Sequence, residues 1–100
     1  MYIVRQTPEF QVWLDGLTDR RAQARITARL RQVEFGNLGD WKSVGDKVSE
    51  LRVDVGPGYR LYFTRRRNVI IVMLAGGDKS SQKRDIKRAQ RIALELEAEP

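Results

Sequence analysis

The chain has 100 residues and a formal net charge of +6, with 19 Lys and Arg against 13 Asp and Glu. It has no cysteine and no histidine, which excludes disulfides, thiolate metal sites, a thiol nucleophile and the most common neutral-pH acid/base group. The apolar share of 41% and the charged share of 32% are typical of one globular domain, which we expect to span residues 1–100.

The longest apolar run, Val69–Ala75, has seven residues, whereas a membrane span needs about 20. We therefore expect no membrane partner, and the composition suggests no metal site and no cofactor. Residues 41–91 carry 13 Lys and Arg against 5 Asp and Glu. A basic second half indicates a polyanionic partner, either nucleic acid or an acidic protein, and the alternative is a merely solvated basic surface.

The first third of the chain predicts a strand followed by two helices. The strand covers Tyr2–Arg5. Thr7–Pro8 is a typical start of a helix, because Thr caps and Pro suits the first turn. A second helix should begin after Thr18 or Asp19 and end at Gly36, with apolar residues on one face.

The rest of the chain predicts consecutive strands and a last helix. Alternating or continuous apolar patterns place strands over Lys42–Val44, Val48–Val55, Tyr59–Thr64 and Val69–Leu74. We expect Arg65–Asn68 to form a hairpin loop, Gly76–Gly77 to end the last strand, and a final helix to follow Asp78.

These elements predict an α+β fold in the order βααβββ(β)α. Consecutive strands joined by short turns favour a small antiparallel sheet. The N-terminal helical hairpin and the C-terminal helix would pack on that sheet.

Four segments carry a family resemblance: FQVWLDGLTDRRAQARITARL, FGNLGDWKSVG, SELRVDVGPGYRLYF and IVMLAGGDKSSQKRDIKRA. In this order they resemble the RelE/ParE superfamily of bacterial toxins, and most closely its HigB-like addiction module killer branch. The resemblance implies a cytoplasmic bacterial toxin with the RelE/ParE fold that cleaves mRNA, usually on the ribosome. It also implies a cognate antitoxin from an adjacent gene, often a helix-turn-helix protein, through which the complex binds operator DNA.

RNA can be cut without a metal ion, because its 2′-OH can attack the adjacent phosphate. The enzyme must remove a proton, stabilise the extra negative charge and protonate the leaving oxygen. Without His or Cys, only Lys, Arg, Tyr, Asp and Glu can perform these steps. The candidate catalytic residues are Arg60, Lys79, Glu50 and Arg52.

Each catalytic candidate also has a plain structural interpretation. Arg60 resembles the arginine of the family's GYR strand, which contacts the scissile phosphate, or it forms a surface salt bridge. Lys79 precedes a helix N-terminus, at or near a position where relatives carry a catalytic Arg, or it is an ordinary loop lysine. Glu50 could act as a base, could orient Arg52, or could form a cross-strand ion pair.

A second group of residues is predicted to bind RNA. It consists of Lys42, Lys47, Tyr59, Arg65, Arg66, Arg67, Gln82 and Lys83. The arginine triplet could hold ribosomal RNA through its phosphates or could be a solubilising turn. Some relatives stack a Tyr of the last helix on a base, and the comparable position here is Asp85. Stacking would then fall to Tyr59, Tyr62 or Trp41, or would be absent.

Two other functions compete with an mRNA endonuclease. One is a DNA gyrase inhibitor, as in the ParE branch, which binds a protein and performs no RNA chemistry. The other is a non-catalytic module or relic that binds RNA or protein, an alternative supported by the missing helical Tyr.

Overall fold

The structure is a computed structural model that describes residues 1–98 as a mixed sheet with helices on both faces. The strands are β1 Ile3–Gln6, β2 Trp41–Gly45, β3 Val48–Val53, β4 Tyr59–Arg66 and β5 Ile70–Asp78. The helices are α1 Pro8–Asp15, α2 Arg20–Glu34 and α3 Gln82–Ala98, and a 3-10 turn, Lys79–Ser81, precedes α3.

The sheet has the order β1-β5-β4-β3-β2. The pairs from β2 to β5 are antiparallel, whereas β1 is parallel to β5 with Ile3 opposite Ile70. The prediction of an α+β fold is confirmed, but that of a wholly antiparallel sheet is wrong. No hairpin turn joins β1 to β5, so the turn geometry that fixes the other strand directions does not act on this pair.

The N-terminal helices form where their capping residues predict. The Thr7 hydroxyl accepts from the backbone N–H of Phe10 and also donates to the carbonyl of Leu74, which attaches α1 to β5. Asp19, rather than Thr18, caps α2 and accepts from two backbone N–H groups of its first turn.

The core lies in two layers, one on each face of the sheet. Helices α1 and α2 cover the first face, and α3 covers the second. Side chains alternate along β4, so Tyr62 is buried with α3 and Phe63 with α1 and α2. Strand β5 has a bulge at Leu74, because Tyr62 pairs with Ala75 and Phe63 with Met73, and the adjacent residues Leu74 and Ala75 are both buried with α3. None of the helices within residues 1–98 has the length and apolar character needed to cross a bilayer.

Strand β5 continues through Gly76 and Gly77 to Asp78, so the prediction that these glycines end the strand is wrong. Both glycines allow close approach of a side chain. A Cβ at Gly76 would lie 2.3 Å from the ring of Trp13, and one at Gly77 would lie 1.9 Å from Oδ2 of Asp85. The glycines therefore let α1 and α3 contact the strand backbone from opposite faces.

The β4–β5 hairpin is tighter than the predicted Arg65–Asn68 loop. Arg65 and Arg66 belong to β4, and residues 67–69 connect it to β5, with Arg67 and Asn68 as the central residues of the turn at φ values of 53° and 59°. Positive φ at both central residues matches the right-handed twist of the flanking strands. This turn places the arginine triplet at the end of β4 opposite to Arg60.

Candidate functional site

Strand register assembles the candidate site at one end of the sheet. Arg52 of β3 lies opposite Arg60 of β4, which in turn lies opposite Gly77 of β5. Glu50, two residues before Arg52, points to the same face because side chains alternate along a strand. This is the face that α3 covers, and the helix begins beside the cluster.

Glu50 is the centre of the cluster and is fully buried. Its carboxylate accepts a 2.7 Å hydrogen bond from the side-chain amide of Gln82. The same carboxylate lies 3.8 Å from Nζ of Lys42, 3.5 Å from Nε of Arg52 and 3.9 Å from Nε of Arg60. One buried anion is therefore surrounded by three cations from three neighbouring strands.

Arg60 is the most buried of these cations, with 8% of its surface exposed. Its Nε is inaccessible to solvent and has no hydrogen-bond partner among residues 1–98. Three cations against one carboxylate leave an excess of two positive charges. Buried arginine with unused donors attracts an anion, and the planar fork of guanidinium matches phosphate oxygens.

The turn before α3 borders this cluster. Asp78 caps it by accepting from the hydroxyl and the backbone N–H of Ser80, and these hydrogen bonds lower the pKa of Asp78. The backbone N–H of Lys79 donates to the carbonyl of Gly58, which fixes the turn against the β3–β4 connection. The Lys79 and Lys83 side chains are exposed on either side of Gln82.

A buried polar network supports the start of α3. Asp85 is 2% exposed and accepts from the Ser81 hydroxyl and from the Arg88 guanidinium at 3.1 Å. The hydroxyl of Tyr62 lies beneath α3 without a hydrogen-bond partner among residues 1–98. Burial, then the charges of Glu50 and Asp85, raise the pKa of Tyr62 far above its usual value. Tyr62 is fully buried and is therefore not exposed for stacking on a base.

Tyr59 does not join the cluster. It is 7% exposed, packs with the first core layer, and its ring lies 6.1 Å from that of Trp13. Burial is also the main reason why the pKa of Tyr59 is raised. The sequence contained the signal, because Tyr59 and Arg60 are adjacent in a strand and must point to opposite faces.

The remaining predicted RNA-binding residues lie at the other end of the sheet. Arg66 is six residues along β4 from Arg60, roughly 20 Å at the usual strand rise. Lys47 is also at that end and forms a 2.9 Å ion pair with Glu97 of α3. Arg65 stacks over the rings of Tyr2 and Trp41, at 5.3 and 5.9 Å from their centroids. The predicted set is therefore divided into two basic surfaces.

The contact between Gly77 and Asp85 was not predicted, although the Gly-Gly pair is visible in the sequence. The pair does not end the strand, because β5 needs the missing Cβ atom of Gly77 to accept Asp85 of α3. Within the described part of the chain, no three Asp and Glu side chains are grouped as a metal site would require.

Residues 12–96 match the model of the phage-derived Gp49-like proteins (DUF891). The chain belongs to the Gp49-like family. An uncharacterized protein of Haemophilus influenzae is similar to it, with 47% identity over 93 residues that cover 93% of this chain and 94% of the relative. The Gp49-like family is a toxin-like addiction-module family associated with toxin–antitoxin systems. The whole cluster around Glu50 falls within the range that the Gp49-like model matches.

Proposed function

We propose that this Gp49-like protein is the toxin of a type II toxin–antitoxin system, and that it cleaves mRNA on the ribosome without a metal ion. In this proposal it is a HigB-like member of the RelE/ParE superfamily. The observation that carries the proposal is Arg60, which is nine-tenths buried beside two further cations and has an Nε without a hydrogen-bond partner among residues 1–98.

In the proposed reaction, the 2′-oxygen of one nucleotide attacks the adjacent phosphorus and the bond to the 5′-oxygen breaks. The products are a 2′,3′-cyclic phosphate and a 5′-hydroxyl. Arg60 and Arg52 hold the non-bridging oxygens and stabilise the charge that develops on them. Lys79, exposed on the turn beside the cluster, donates the proton to the leaving 5′-oxygen, and the 2′-OH proton passes to water.

Glu50 orients the cations in this scheme. A general base must reach the proton that it removes, and Glu50 is fully buried with its oxygens directed at Gln82 and the cluster cations. The carboxylate therefore serves as a counter-charge that fixes Arg52 and Arg60. Lys42, with 53% of its side chain exposed, would contact the RNA backbone beside them.

The second basic surface would hold ribosomal RNA. Lys47 and the arginine triplet border a cavity of about 330 Å³ at the far end of β4. Exposed guanidinium groups bind phosphates without reading sequence, which suits a site on a large structured RNA. The protein partner would be an antitoxin that meets this basic toxin in the bacterial cytoplasm, and operator DNA would be bound through the antitoxin.

The test is induction in a bacterium without the antitoxin, followed by mapping of new mRNA 5′ ends with and without blocked translation. Wild type should produce cuts within translated codons that vanish when translation is blocked. Arg60→Ala should produce none, whereas the matched control Arg91→Ala should cut as wild type, because Arg91 is an exposed α3 residue paired with Glu95.

Growth arrest with intact mRNA would contradict the proposal and would point to a gyrase inhibitor. Absence of both arrest and cuts from a folded protein would point to a non-catalytic module. Equal cutting by Arg60→Ala and wild type would exclude the cluster as the site of chemistry.

A further inference from the structure

A groove of about 390 Å³ lies between α2 and the end of β3. Its lining residues are Arg25, Ala28, Arg29, Gln32, Arg52, Val53 and Asp54. None of the candidate site residues lies on α2, and of the groove lining only Arg52 has a role in the mechanism described above.

The groove exists because β2 covers only part of β3. The last pair joins Trp41 to Leu51, and beyond it the backbone N–H of Arg52 donates to the carbonyl of Asp40. The end of β3 is therefore an open sheet edge. Helix α2, packed on the other face, brings Arg25 and Arg29 to the same edge.

The two α2 arginines of the groove, Arg25 and Arg29, lack an ion-pair partner among residues 1–98, and Asp54 is likewise unpaired. Arg29 instead donates to the carbonyls of Asn37 and Leu38, and burial lowers the pKa of Arg29. Arg25 and Arg29 are also four residues apart on α2, which places like charges side by side in the groove and favours binding of an anion.

Arg52 connects the groove to the candidate site. It lines the groove, and its Nε lies 3.5 Å from the Glu50 carboxylate that also faces Arg60. A chain of phosphates bound at Arg60 would meet Arg52 next and then the α2 arginines. The groove and the cluster thus share Arg52 at the edge of β3.

We propose that this groove binds a phosphate of the same RNA strand, beyond the one at Arg60, so that the substrate wraps around the edge of β3. This inference rests on the proposed function for the identity of the strand. The apolar part of the lining is limited to Ala28 and Val53 beside the alkyl stems of longer side chains, whereas protein-docking surfaces have an apolar centre. The arginine lining and its continuity with the cluster favour a nucleic acid over an acidic protein segment.

The test measures binding of 2′-O-methyl RNA, which lacks the nucleophile and therefore cannot be cut. The full chain is titrated with a dinucleotide and with an oligonucleotide of about ten nucleotides, each over a range of salt concentrations. The variants are Arg25→Ala and Arg60→Ala. Arg21→Ala is the matched control, because it lies one helical turn from Arg25 and outside the groove lining.

Arg25→Ala should raise the Kd of the longer oligonucleotide about threefold to tenfold and lower its salt slope by about 0.7, which is one phosphate contact on a single strand. Arg25→Ala should leave the Kd of the dinucleotide unchanged. Arg60→Ala should raise the Kd of both ligands, and Arg21→Ala should change neither. This binding result does not depend on cleavage, so loss of the proposed nuclease function would be recognised separately.

Unchanged binding of the longer oligonucleotide by Arg25→Ala would overturn the inference. A loss of equal size for the dinucleotide would also overturn it, because the effect would then arise at Arg60. If Arg25→Ala weakens a poly-glutamate peptide but not the oligonucleotide, the groove is a docking site for an acidic protein instead.

Discussion

The side-chain amide of Gln82 donates a 2.7 Å hydrogen bond to the Glu50 carboxylate and so ties the first turn of α3 to strand β3. Since the same carboxylate is the counter-charge of Arg60 and Arg52, this contact joins the helix to the cations of the candidate site. Glu50 therefore connects the fold of the domain with the geometry of the candidate site.

Glu50→Gln should destabilise the protein. The substitution keeps the shape but leaves three cations without their buried counter-charge, and we expect a loss of about 1–3 kcal/mol in the free energy of unfolding. The lower part of the range allows for the solvent exposure of Lys42 and Arg52. Urea unfolding measures the effect, with exposed Glu34→Gln as control. Equal midpoints for both variants would contradict the role of Glu50.

Gly77→Ala should destabilise the protein through a clash at the sheet. The new Cβ would lie 1.9 Å from Oδ2 of Asp85, which is held by Arg88 and Ser81. Overpacking of this kind costs about 1–3 kcal/mol in the free energy of unfolding. In an Asp85→Ala background the cost of Gly77→Ala should shrink, and denaturant unfolding of the four proteins measures the coupling. If Gly77→Ala lowers the free energy of unfolding equally in both backgrounds, the new Cβ does not clash with Asp85.

Tyr62→Phe should alter the dependence of stability on alkaline pH. The pKa of Tyr62 is raised from an ordinary value of 10.0, so the folded state keeps its proton longer than the unfolded state. The contribution of this phenol is complete below the unfolded pKa and is lost as pH rises through the folded one. Above about pH 10, the free energy of unfolding of wild type should therefore fall more steeply than that of Tyr62→Phe.

The comparison uses urea unfolding at stepped pH, with Tyr2→Phe, a part-exposed residue near the far end of β4, as the control. At neutral pH, Tyr62→Phe should be neutral or slightly stabilising, because it removes a buried hydroxyl that has no hydrogen-bond partner among residues 1–98. If the free energy of unfolding falls with pH in parallel for Tyr62→Phe and wild type, the raised pKa of Tyr62 is not the cause of the alkaline loss of stability.

Lys42→Ala and Lys47→Ala should differ in their effect on the salt dependence of RNA binding, although the sequence predicts RNA binding for both residues. Lys42 lies 3.8 Å from Glu50 in the cluster, whereas Lys47 is paired with Glu97 at the other end of the sheet. For a non-cleavable trinucleotide, which carries a second phosphate beside the one at Arg60, Lys42→Ala should lower the salt slope of binding by about 0.7, and Lys47→Ala should leave it unchanged. Filter binding at several salt concentrations measures the slopes, and equal slopes would show that the two surfaces do not act separately.

The sequence predicts local elements well because their signals are local. The caps at Thr7 and Asp19 and the period-two pattern before Val55 all act within a few residues, and the corresponding elements form. The parallel direction of β1 carries no such signal. It depends on contacts with β5, almost seventy residues away along the chain, a separation set by Ile3 opposite Ile70.

The candidate site was predictable only in part, because residue types are visible in the sequence whereas long-range contacts are not. The residue types at Arg60 and Arg52 predict a phosphate site, but the strand register that places these residues side by side is a property of the folded sheet. The convergence of Glu50 and Gln82 also depends on where α3 crosses the sheet. By contrast, the buried position of Tyr59 could have been predicted, because Tyr59, Leu61 and Phe63 alternate along one strand and therefore share a face.

At Gly76 and Gly77 the two helical layers of the domain are separated by a single strand of backbone. Trp13 of α1 presses on one side of that strand and Asp85 of α3 on the other, with no intervening side chain. A larger residue at either glycine would have to push its helix away from the sheet. The thickness of the domain at the end that carries the candidate site is therefore set by two hydrogen atoms, one on each face of β5.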